Sequence, residues 1–141
     1  MKRALTVAAL TGLVWSFLAV RLMGGRFEDL HIPFLIAGIT AGIAAGVHTI
    51  RTRKKKGGDE GILAGIACYY LAIVIYWAVW LVAERVSMCI ELRKWTDFDL
   101  HDHLNLIWVY LFYGTIPYGL LLIPLCFLNR WVVWRAYTFK R

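Results

Sequence analysis

Four apolar runs, Ala4–Met23, Ile32–Ile50, Ile62–Ala83 and Leu104–Leu128, occupy most of a 141-residue chain. Each is about 19 to 25 residues long, the length a helix needs to cross roughly 30 Å of hydrocarbon at about 1.5 Å per residue. None carries a charge in its central part. These runs predict an all-α integral membrane protein of four transmembrane helices, arranged as two helical hairpins in a single domain. With 60% hydrophobic residues and a mean hydropathy of +0.62, a water-soluble fold would expose more apolar surface than water tolerates. The runs leave about 55 residues for ends and connectors, too few for a soluble catalytic domain.

The net charge of +7 is read by its distribution, not its size. Eleven basic residues lie before the first run, between the second and third, and after the fourth; Arg21, at the end of the first run, and Arg26, Arg85, Arg93 and Lys94 lie on the other side. That asymmetry places both termini and the connector 51–61 in the cytoplasm, consistent with a bacterial inner membrane or another plasma membrane. The acids lean the other way, with only Asp59 and Glu60 on the basic side. Arg51, Arg53, Lys54, Lys55, Lys56, Arg130 and Arg135 are therefore expected to contact anionic lipid or a partner at the cytoplasmic face, not nucleic acid. The opening Met1-Lys2-Arg3 and its long apolar run suit an uncleaved signal anchor. The tail 129–141 alternates Trp131, Trp134, Tyr137 and Phe139 with cations, which suits a segment at the interface.

The second run carries Gly38-x-x-x-Gly42-x-x-x-Gly46, with Ala41 and Ala45 one position behind. Residues four apart share a helix face, and small residues let backbones approach where lipid gives helices little hydrophobic reason to associate. This glycine-zipper face serves packing within the bundle or a homo-oligomer or partner subunit; Gly61 and Gly65 offer a lesser version. His48, near the same end, is a hydrogen-bonded or snorkelling histidine, or a candidate ligand for haem or a pigment.

On the opposite side, Glu28, Asp29 and His31 precede the second run, and Asp97, Asp99, His101, Asp102 and His103 precede the fourth. Imidazole with carboxylate suits a divalent cation, proton sensing, or a haem through His31 with His101 or His103; helix capping on a hydrated rim is the simpler reading. The shared Asp-Leu-His triplet is too short to separate duplication of a hairpin from that capping role. Cys68 and Cys126 lie in runs and read as small hydrophobes, whereas Cys89 falls in an outer connector. Tyr76 and Trp77 are expected to pack against the fourth run, which Pro117 and Pro124 kink.

No run has an ionised residue near its centre, as proton-coupled transport requires, and the hydrolase and redox motifs are missing. The expected function is non-enzymatic: an assembling subunit, either an accessory or scaffold subunit of a membrane complex or an oligomeric ion channel. A cofactor-binding redox or light-harvesting subunit using the histidines is the alternative.

Overall fold

The computed structural model describes residues 1–22, 31–55, 61–92, 100–115 and 119–139. Among them the fold is all-helical: α1 (Lys2–Leu22), α2 (Ile32–Lys55), α3 (Ile62–Leu92), α4 (Leu100–Thr115) and α5 (Gly119–Thr138). Two of these helices, α2 and residues 62–91 of α3, are long and apolar enough to cross a membrane.

The helices start and stop on local chemistry. The carbonyl of His31 accepts from the Phe34 N–H (3.0 Å), and Pro33 fits the first turn of α2, where its missing N–H costs nothing. The Gly61 carbonyl accepts from the Ala64 N–H (3.0 Å) in the same way at the start of α3. At the other end of the chain the Thr138 hydroxyl folds back onto the Trp134 carbonyl (3.1 Å), and the Phe139 N–H closes the last turn of α5 on Arg135.

Three boundaries differ from the reading of the runs. The run Leu104–Leu128 is shared between α4 and α5, which flank residues 116–118; Pro117 lies outside the described residues, and Pro124 is inside α5. The interfacial tail is the second half of α5, continuous helix to Thr138. Helix α3 runs on to Leu92, about 46 Å in all. It thus continues past the end of the apolar run at Ala83, and Val82, Val86 and Ile90 are exposed (Ile90 72%).

Helix α2 is the centre of the fold. Its glycine face meets α1 and its alanine face meets α3. Helix α5 closes against α1, α2 and α3, whereas α4, among the described residues, packs on α3 and α5 and not on α2. The starts of α1 and α3 therefore share one end with the ends of α2 and α5. Three small clusters make the interior: Ala4, Ala8, Ile50 and Val133 at that end, Ala45, Cys68, Tyr69 and Cys126 in the middle, and Ala37, Ala41, Tyr76 and Trp77 toward the other end. Tyr76 and Trp77 thus fill the space over the alanine face of α2, with Phe34 and Trp80 beside them (ring centroids of Phe34 and Trp80 5.4 Å apart).

Candidate functional site

The small-residue seam is built from both helices, and its second half lies in α1. Ala4, Ala8, Gly12 and Ser16 recur at four-residue spacing, a stripe as regular as that of α2 and passed over by a reading centred on the second run. A Cβ at Gly12 would collide with the Gly38 carbonyl, one at Gly42 with the Ala8 carbonyl and, at 2.9 Å, with Gly12 Cα. One at Gly46 would reach Ala8 Cβ at 2.6 Å. Backbone meets backbone at Gly12, Gly38 and Gly42, and Gly46 receives the Ala8 methyl, so within one chain α1 covers all three glycines of α2. Ser16, fully buried, ties the seam: its hydroxyl donates to the Phe34 carbonyl of α2 (2.8 Å) and lies 3.3 Å from the Gly12 carbonyl of its own helix. Ala41 and Ala45 are buried on the other face toward α3. Gly61 is exposed, and Gly65 faces α5, where the Phe127 ring occupies the space its side chain would take.

At the shared end, Arg130 is the largest fully buried side chain, 1% exposed. It reaches from α5 to two other helices. Nη1 donates to the Ala64 carbonyl in the first turn of α3 (3.0 Å) and approaches His48 Nδ1 (3.2 Å); Nη2 donates to Thr52 Oγ1 (3.2 Å). A guanidinium has only donors, so His48 Nδ1 accepts and the neutral ring carries its proton on Nε2. Thr52 passes the connection on, donating to the His48 carbonyl (2.8 Å). A planar fork of five N–H groups addresses α2 and α3 from two separate nitrogens, a spread that the compact ammonium of lysine does not match. Arg130 was expected at the lipid or partner surface; the convergence of α2, α3 and α5 puts it inside instead. His48 is accordingly hydrogen-bonded, and any metal or haem iron would have to approach Nε2.

Around this core four further cations lie over aromatics of α5 and of the residue that follows it. Arg3 lies over Phe139 (4.9 Å), Arg53 over Trp134 (5.6 Å), Lys54 over Tyr137 (5.2 Å) and Arg135 over Trp131 (5.3 Å). Each is worth about 0.5 to 1 kcal/mol at an exposed position. Arg51, Lys54, Lys55 and Arg135 are exposed and Arg53 half-buried; Lys56 lies outside the described residues. The acids among the described residues, Glu84, Glu91 and Asp102, are on α3 and α4, away from this end.

The opposite rim is mostly outside the described residues: Glu28, Asp29, Asp97 and Asp99 belong there, as does the side chain of His103. His31, His101 and Asp102 are exposed. His31 precedes α2 and His101 lies in the first turn of α4, and among the described residues these two helices do not pack on each other. Among the described residues no three His, Cys, Asp or Glu side chains gather into a metal-binding group. Cys68 and Cys126 are buried in one cluster, and Cys68 Sγ approaches the Ala45 carbonyl (3.8 Å). No protein-family model, curated protein or solved structure matches the chain.

Proposed function

We propose that the chain is a small polytopic membrane protein that acts by assembly rather than catalysis, as an accessory or scaffold subunit whose basic end lies at the cytoplasmic, anionic leaflet. The observation that carries this is polarity along the bundle axis. Lys2 and Arg3 of α1, the cations of α2 and those at the end of α5 meet at one end, the described acids lie elsewhere, and large apolar side chains face outward between them, among them Leu10, Val14, Phe112 and Trp108 (71% exposed). Helices α1, α2 and α3 supply three crossings. The fourth is shared: α4 lies along the distal part of α3, and α5 takes over about halfway, where Leu122 and Ile123 join Tyr69 and Ala72.

The closed seam favours a scaffold over a channel. With α1 and α2 in backbone contact, no polar conduit runs between them, and a pore would have to form between copies. Assembly would then use exposed apolar faces of α3 and α4, not the glycine stripe. The test is the oligomeric mass in nanodiscs, combined with current recordings on the same reconstituted material. Discrete assembly without current supports the scaffold, discrete assembly with current supports the channel, and a strictly monomeric chain that co-purifies with no membrane subunit argues against both. An absorbance band lost in His48→Ala would support the cofactor reading instead.

A further inference from the structure

Helices α1 and α5 meet near the basic end but leave an outward-opening groove of about 180 Å³. It runs from Leu18 and Leu125 at its inner end to Thr11 and Val132 at its mouth, about 10 Å along the helix axis. Val14 and Leu128 form its walls and are 57% and 56% exposed. The lining is apolar except at Thr11 and Asn129, and Asn129 Oδ1 is buried without a hydrogen-bond donor among the described residues.

The helical register carries this face on to two arginines. Arg135 lies one turn beyond Val132 on α5, and Arg3 lies two turns before Thr11 on α1. Both are exposed; Arg135 lies over Trp131 and Arg3 over Phe139 just past the end of α5, so each helix carries one cation beyond the Thr11 and Val132 end of the groove. A guanidinium lying face-on over a ring keeps its in-plane N–H groups for an anion, and guanidinium geometry matches phosphate oxygens bidentately. An apolar trough that ends at a pair of arginines has the shape and charge of an amphiphile.

We propose that this groove is a stoichiometric site for one anionic phospholipid, with an acyl chain between α1 and α5 and the phosphodiester at Arg3 and Arg135. The inference rests on the membrane reading above and sharpens it, from a diffuse basic surface to one defined position. The apolar groove supplies lipid contact of either headgroup type, and the arginine pair supplies the preference for negative charge.

Native mass spectrometry of the full chain, released from nanodiscs of equal phosphatidylglycerol and phosphatidylcholine, tests it. One retained phosphatidylglycerol is expected, favoured at least tenfold over phosphatidylcholine. Leu128→Trp, an outward substitution that fills the groove, should abolish retention of both lipids, with Val14→Trp as an independent filling variant. The double change Arg3→Gln with Arg135→Gln should erase the tenfold preference while lipid is still retained. Millimolar glycerol phosphate should not displace the lipid. Equal retention of the two lipids, a preference that survives the double change, or displacement by glycerol phosphate would overturn the proposal, as would a dimer abolished by Leu128→Trp. Recovery of the chain without detergent in the soluble fraction reads out separately and would remove the membrane premise itself.

Discussion

Arg130 shows how much one side chain can join. Its guanidinium links α5 to His48 and Thr52 of α2 and to the Ala64 carbonyl of α3, all within 3.2 Å. Arg130→Met nearly keeps the volume but leaves the half-buried His48 Nδ1 and the Ala64 carbonyl without their donor, and should cost about 1 to 3 kcal/mol. Arg130→Lys should recover only part, because a single ammonium cannot address three acceptors in one plane. Unfolding midpoints of both variants in one detergent check this; a lysine variant as stable as the parent would argue against the fork. Ser16→Ala removes one interhelical hydrogen bond and should cost about 0.6 kcal/mol, the typical value for such bonds in membrane proteins. Neither role was plain in the sequence. A lone arginine just past an apolar run looks the same whether it snorkels outward or is enclosed, and the difference lies in helix ends remote along the chain.

At the scale of the helix pair, the seam between α1 and α2 is the least forgiving part of the molecule. Gly42→Leu places a branched side chain where even a Cβ would meet the Ala8 carbonyl and Gly12 Cα, and no flexible neighbour is there to yield. It should cost about 3 kcal/mol or more and separate α1 from α2, read as loss of cysteine cross-linking between engineered positions on the two helices. Gly65 is a different case, because the atoms in the way belong to the Phe127 ring. Gly65→Ala should destabilise by about 1 to 3 kcal/mol, and Phe127→Leu should return part of that in a double-mutant cycle. Additivity of the two changes would show that the ring and the glycine do not share space. The stripe in α2 was legible from glycine spacing alone, but its partner was not: Ala4, Ala8, Gly12 and Ser16 are equally regular, yet only their placement opposite Gly38, Gly42 and Gly46 makes them a seam. The division of the last run into α4 and α5 was half-visible in its two prolines. Proline marks where a helix is weakened, not whether the flanks stay collinear.

For the whole molecule, the proposed orientation predicts a labelling pattern. In a Cys89→Ser background, Lys54→Cys should resist a membrane-impermeant maleimide in intact cells and react after permeabilisation. Ile90→Cys, at a 72% exposed site near the far end of α3, should react from outside. The reverse pattern would invert the topology and move the basic end away from the cytoplasmic leaflet. Helical character, helix order and the gathering of cations at one end follow from quantities that add along the chain, namely run length, apolar content and the sign of each connector. Such sums need no neighbour, so the amino-acid sequence determines them. Which faces meet does not add along the chain. Glycine and alanine faces fit many partners, and an arginine, a histidine and a carbonyl from three helices become a site only when packing brings them within hydrogen-bonding reach. The enclosure of Arg130, the pairing of the α1 and α2 stripes and the groove beside α5 were therefore decided by the tertiary structure, because each depends on distances between residues far apart in sequence.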